Sequence, residues 1–187
     1  FMIILCGIKH CGKSTIGKIL SEKLNISFVD VDSEIEKISG KSCRDLYRQD
    51  GKEAFMKAEA KACKEIAENP LYENAVVATG GGICDNQEAL DFLTTGKVGQ
   101  ETKLFYVDIE EDIAFKRIQH NMEKTGSWPG WIPKDVYDDL EAIKGLFHNF
   151  YTERTKKYKS LCSVIVPVEN GDSEKASDFI MERLKFV

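Results

Sequence analysis

The sequence predicts an α/β fold, a parallel sheet with helices on both faces. Two patterns carry this reading: short runs that are apolar at consecutive positions, and amphipathic stretches between them. The first run, Met2 to Cys6, leads through a glycine-rich stretch to Ile16, Ile19, Leu20 and Leu24, which recur at helical spacing. Ser27 to Asp30 forms the second run, and Ala58, Ala62, Ile66 and Ala67 mark the next helical stripe. Ala75 to Thr79 and Leu104 to Val107 follow, the latter leading into Ile113, Phe115 and Ile118. Ser163 to Val166 is the fifth run, and Phe179, Ile180 and Leu184 lie on the closing helix. Ser33 with Glu36, and Asp85 with Glu88, have the spacing of a capping box and predict helix starts at those points.

Nothing divides the chain: there is no repeat, low-complexity tract or linker, so residues 1–187 are expected to form one domain. The segment 121–135 stands apart. It holds both tryptophans, two glycines and two of the four prolines, and has no clear period. That composition predicts a mobile lid whose exposed aromatics close over a ligand.

With 42% hydrophobic and 30% charged residues, the composition excludes disorder and collagen-like structure. A net charge of −5 argues against nucleic acid or an anionic membrane as partner. No run approaches the ~20 apolar residues that span a bilayer. The opening stretch, Phe1 to Cys6, is too short for a signal peptide and lacks a basic start. A soluble, cytoplasmic, monomeric protein acting on a small molecule is therefore expected. Cys6, Cys11, Cys43, Cys63, Cys84 and Cys162 include no Cys-x-x-Cys pair, and there are only three histidines, so neither a zinc site nor a disulfide framework is suggested.

Directly after the first strand the chain reads Gly7-Ile8-Lys9-His10-Cys11-Gly12-Lys13-Ser14-Thr15, the pattern G-x-x-x-x-G-K-S-T between a buried strand and an amphipathic helix. Glycines let the backbone curl so that successive N–H groups face inward, and the helix that follows adds its positive N-terminal end. In this motif Lys13 reaches the β- and γ-phosphates of a nucleotide, and the Ser14 hydroxyl coordinates Mg²⁺. Two carboxylates, Asp30 and Asp32, leave the second strand, so one can serve a metal and the other an acceptor. Asp32 as a helix N-cap is the alternative. Gly80, Gly81 and Gly82 after the third strand offer backbone N–H groups where a side chain would collide with a substrate, or else make a plain strand-to-helix turn.

The phosphate loop, Phe28-Val29-Asp30-Val31-Asp32 and Ala78-Thr79-Gly80-Gly81-Gly82 stand in the order and spacing of one family, as do Gly40-Lys41-Ser42, Leu46-Tyr47, Gly51, Phe55 and Glu59. Over most of its length the chain resembles shikimate kinase, a small P-loop kinase of the nucleoside monophosphate kinase class. The resemblance implies a five-stranded parallel sheet with the P-loop at its C-terminal edge and a flexible lid. It also implies ATP and Mg²⁺ as cofactors, transfer of a phosphoryl group to a shikimate hydroxyl, and a place in aromatic amino acid biosynthesis. It assigns Asp30 to the metal's water shell and Asp32 to the acceptor hydroxyls. Arg154, in Arg-x-x-x-Tyr with Tyr158, is assigned to the acceptor carboxylate, and Arg117 to the adenine face. On residue type alone, Arg154 also suits a solvated face, in a charge run with Lys156, Lys157 and Lys159, and Arg117 suits an ordinary helix surface.

The chain departs from the family at two points. The arginine that follows the phenylalanine matching Phe55 is Met56 here, and a thioether cannot form a bidentate pair with a carboxylate. Lys57 is next to it but points about 100° away around a helix. The lid's arginine-proline pair aligns with Trp128-Pro129, and the stretch from Pro129 to Arg154 is longer than usual for the family. These departures keep two other readings open: a kinase of another small acid, polyol or nucleotide, and a nucleotide-binding regulator with weak catalysis.

Overall fold

The computed structural model of the protein describes residues 1–95 and 101–184. Five strands, β1 (Met2–Cys6), β2 (Ser27–Asp30), β3 (Ala75–Ala78), β4 (Thr102–Ile109) and β5 (Val164–Val168), pair in parallel in the order β2-β3-β1-β4-β5. β1 lies at the centre and all five of its residues are inaccessible to solvent, as are the four of β3. This is why both read as unbroken apolar runs: a strand covered on both faces has no solvent side on which to place polar residues. β5 at one edge alternates and carries Pro167, whose missing N–H an edge strand tolerates.

Helices α1 (Lys13–Leu24), α2 (Val31–Ser39), α3 (Cys43–Glu68), α4 (Gln87–Thr95), α5 (Glu111–Thr125), α6 (Leu140–Leu161) and α7 (Ser173–Leu184) cover the sheet. α1 lies close to β2, since a Cβ built on Gly17 would fall 2.5 Å from the Phe28 ring. α3 is two helices joined at Gly51, whose φ of +88° suits glycine and strains other residues. Because the chain leaves β1 toward β2 and β3 on one side and returns through β4 on the other, a crevice opens beyond the carboxyl end of β1.

Both expected capping boxes are displaced. α2 begins at Val31, capped by Asp30, whose Oδ1 accepts from the Asp32 N–H at 3.0 Å; neither Ser33 nor Asp32 is the cap. α4 begins at Gln87, where the Asn86 side chain accepts from the Ala89 N–H at 3.3 Å. Asp85 is thereby released for other contacts.

The segment 121–135 also differs from expectation. Its first five residues end α5, which stops at Gly126 in the left-handed conformation. Trp128 is 6% exposed and Ile132 2%. Trp131 stacks on Phe150 of α6 with centroids 4.4 Å apart and planes 5° from parallel. The expected exposed aromatics are thus packed against the body. Gly and Pro read as loop signals, but the apolar residues between them still gain by burial.

Candidate active site

The crevice is an open cleft of about 720 Å³, lined by the phosphate loop, the ends of β2 and β3, and one face of α5. Its floor is the loop from Gly7 to Thr15. Gly7 has a φ of +148°, and a Cβ there would fall 2.8 Å from the Val107 carbonyl oxygen, so the first glycine is required by both conformation and space. Lys13 is buried inside the loop, its Nζ donating to the carbonyls of Gly7 at 2.9 Å and Ile8 at 2.8 Å. Ser14 and Thr15 are exposed at the mouth of α1. Arg117 crosses from α5 and donates to the His10 carbonyl at 2.9 Å, beside Gly12 and against Gly171.

Asp30 and Asp32 separate because β2 ends at Asp30 and Asp32 sits in the first turn of α2; on a continued strand, positions two apart would share a face. Asp30 Oδ2 accepts from the Ser14 hydroxyl at 2.5 Å, while its other oxygen caps α2. Asp32 instead faces Gly80: a Cβ on that glycine would lie 3.0 Å from Asp32 Oδ1 and 2.9 Å from Glu59 Oε1. Burial and the neighbouring Asp30 push the Asp32 carboxyl up, against the pull of Lys13 and Lys9. A Cβ on Gly81 would fall 2.7 Å from the Lys9 backbone nitrogen, whereas Gly82 faces open space. Gly81 is therefore demanded by the protein's own backbone packing, whereas at Gly80 the close neighbours are the carboxylate ends of Glu59 and Asp32.

Arg154 and Tyr158, one helical turn apart on α6, grip the loop that continues from these glycines. The Tyr158 hydroxyl donates to the Gly81 carbonyl at 2.9 Å. Arg154 pairs with Asp85 at 2.6 Å, donates to Cys84 Sγ at 3.0 Å and lies over the Phe150 ring. It is no part of a solvated face. Burial pushes the Asp85 carboxyl up, but Lys157 at 2.8 Å and Arg154 outweigh it and hold Asp85 below the ordinary carboxylate range. Met56 is half-buried and Lys57 points to solvent.

The sequence marked Asp85 only as a helix cap and Glu59 only as a family match, and gave Cys84 and Asn86 no site role. Glu59 is 1% exposed; its Oε2 accepts from Asn86 Nδ2 at 2.8 Å, and its Oε1 has no hydrogen-bond partner among the described residues. Burial pushes its carboxyl up to about 7. A raised carboxyl pKa stabilises the fold fully below the ordinary carboxylate range, and that stability is lost as pH rises through about 7. Between pH 5 and pH 8 the loss from Glu59 is on the order of 2 kcal/mol. Glu59→Gln keeps the bond from Asn86 and removes the ionisation. The variant should therefore show a flatter denaturant midpoint over that range; parallel wild-type and variant profiles would place the proton elsewhere.

The family profile described as shikimate kinase matches residues 9–185. The chain is 31% identical to the shikimate kinase of Aquifex aeolicus over 179 residues, covering 96% of this chain and 94% of that one. It is 43% identical over 164 residues to the bifunctional shikimate kinase/3-dehydroquinate synthase of Thermotoga maritima, covering 88% of this chain and 32% of that protein. The crystal structure of the Aquifex aeolicus shikimate kinase superposes with a TM-score of 0.72, covering 99% of this chain and 96% of the other. With the phosphate loop and the Asp30–Ser14 pair in one cleft, Tyr158 bonded to Gly81 of its wall, and a match along nearly its whole length, this chain belongs to the shikimate kinase family.

Proposed function

We propose that the protein transfers the γ-phosphoryl group of ATP to a hydroxyl of shikimate, giving ADP and 3-phosphoshikimate. The observation that carries this reading is the placement of Asp32 and the glycine loop on the wall of the same cleft whose floor is the phosphate loop. A donor phosphate and an acceptor hydroxyl can then meet with a carboxylate beside them. Lys13 and the loop N–H groups of Gly12 to Thr15 hold the phosphates, and Arg117 flanks the base. Asp32 orients the acceptor hydroxyl and takes its proton, and Arg154 binds the acceptor carboxylate beside Gly80, Gly81 and Gly82.

The Ser14 hydroxyl and Asp30 Oδ2 are hard oxygen donors at 2.5 Å. They fit Mg²⁺ held chiefly by phosphate and water, and among the described residues no larger cluster of metal-ligating side chains competes with them. Bound there, the ion would neutralise phosphate charge. No helix among the described residues is long and apolar enough to cross a membrane, and we take the enzyme to act as a monomer in the cytoplasm.

The test is ATP turnover against a panel of shikimate, related hydroxy acids, polyols and nucleoside monophosphates, with highest kcat/KM expected for shikimate. A second reading has support at the acceptor end, where Asp85 already neutralises Arg154 and position 56 carries no charge. On that reading a polyol outperforms every carboxylate in the panel.

Met56→Arg separates the two. Position 56 lies one turn before Glu59 on α3, so an arginine there supplies both an acceptor contact and a partner for the buried carboxylate. Shikimate kcat/KM should rise on the order of tenfold, the effect of one regained charged hydrogen bond. An unchanged value, with a polyol still preferred, assigns the scaffold to another acceptor. Robust shikimate turnover lost on Lys57→Ala would transfer the carboxylate contact to Lys57.

A further inference from the structure

The cleft is rich in cations, and their commitments differ. Lys13 is spent on the Gly7 and Ile8 carbonyls, Arg117 on the His10 carbonyl, and His120 lies 3.6 Å from Glu123. Lys9 is exposed, lines the cleft, and its side chain makes no hydrogen bond or ion pair among the described residues. Lys116 and Lys124 also line the cleft, but from α5, which follows β4. The glycine loop follows β3, on the other side of β1.

Lys9 is the cation whose backbone abuts that loop: a Cβ on Gly81 would lie 2.7 Å from its nitrogen and 3.2 Å from its Cα. It rises from the phosphate loop at the point where that loop meets the acceptor wall.

We propose that Lys9 is a second phosphate-binding cation of this site, whose ammonium neutralises the phosphoryl group as it passes from nucleotide to acceptor while Lys13 holds the donor phosphates from within the loop. The inference rests on the phosphotransfer reading above. In the step it serves, the acceptor oxygen bonds to phosphorus as the bond to the β-phosphate oxygen of ADP breaks, and the hydroxyl proton passes to Asp32. Lys9 donates no proton and forms no covalent bond. Its contribution is charge placed where charge moves, which acts on the transition state more than on either bound ground state.

Lys9→Met keeps an unbranched side chain one atom shorter and the backbone contact with Gly81 but removes the charge; Lys9→Arg keeps the charge. Four quantities distinguish the outcomes: kcat with saturating ATP and shikimate, affinity for a non-hydrolysable ATP analogue by titration, slow ATP hydrolysis without acceptor, and the melting temperature. In Lys9→Met, kcat should fall roughly 10- to 100-fold, the lower end reflecting an open cleft mouth. Analogue affinity and melting temperature should stay near the wild-type values, and Lys9→Arg should retain most of the rate. An unchanged kcat in Lys9→Met, an equal loss in both variants, or a loss confined to ATP affinity would overturn the proposal. If the unsubstituted protein fails to phosphorylate shikimate, the substrate reading fails instead. Lys9 is then judged on acceptor-free hydrolysis: a slower rate in Lys9→Met supports its role at the phosphate, and an equal rate refutes it.

Discussion

Lys13→Ala should lower turnover by about 10²-fold or more, the range seen when one preorganised donor is removed from a phosphate or oxyanion site. The structure adds a second consequence. Because Nζ donates to the carbonyls of Gly7 and Ile8, the lysine also ties the loop to itself, and its removal leaves two buried acceptors without their charged donor. A stability loss of about 1–3 kcal/mol should accompany the loss of rate. Lys13→Met distinguishes the two roles poorly, since it too abandons the carbonyls, whereas Lys13→Arg retains a donor and the charge but not the compact ammonium geometry. Turnover and denaturant unfolding measured on Lys13→Ala and Lys13→Arg separate them: the arginine variant should recover stability before it recovers activity. Unchanged turnover in Lys13→Ala would mean that the loop from Gly7 to Thr15 is not a phosphate cradle.

What could be read from the sequence was what local chemistry decides. The strand, phosphate loop and helix from Met2 to Leu24 were readable closely because burial on both faces removes polar residues from β1 and because the loop's curvature needs glycine at Gly7. Helix starts were harder. Ser33-Glu36 and Asp85-Glu88 have the right residues at the right spacing, but a cap forms where the preceding element stops, and β2 stops at Asp30. The polar partners at the acceptor end were hidden for another reason. Asn86 reaches Glu59 across 27 positions, and Arg154 reaches Asp85 from another helix. No periodicity within a window records such pairs. Trp128 and Trp131 show the reverse case, in which local Gly and Pro signals were correct about irregular backbone and uninformative about burial.

Asp32→Asn should abolish acceptor phosphorylation, by about 10²- to 10⁴-fold for loss of a positioned general base, with nucleotide affinity nearly intact. The amide preserves size and can still hydrogen-bond a hydroxyl, but it cannot take the proton. The neighbouring carboxylate is poorly placed to substitute, because one oxygen of Asp30 is engaged by Ser14 and the other by the Asp32 N–H. Glu59 is poorly placed as well: it lies behind Gly80 and is almost wholly buried. The division of labour therefore predicts opposite signatures for two adjacent substitutions. Asp32→Asn should lower kcat and spare Mg²⁺-dependent nucleotide binding. Asp30→Asn should weaken that binding while leaving α2 stable, because asparagine still accepts from the Asp32 N–H and caps a helix about as well as aspartate. If nucleotide affinity falls in Asp32→Asn as steeply as the rate, Asp32 belongs to the metal side, and the proton must leave the acceptor by another route.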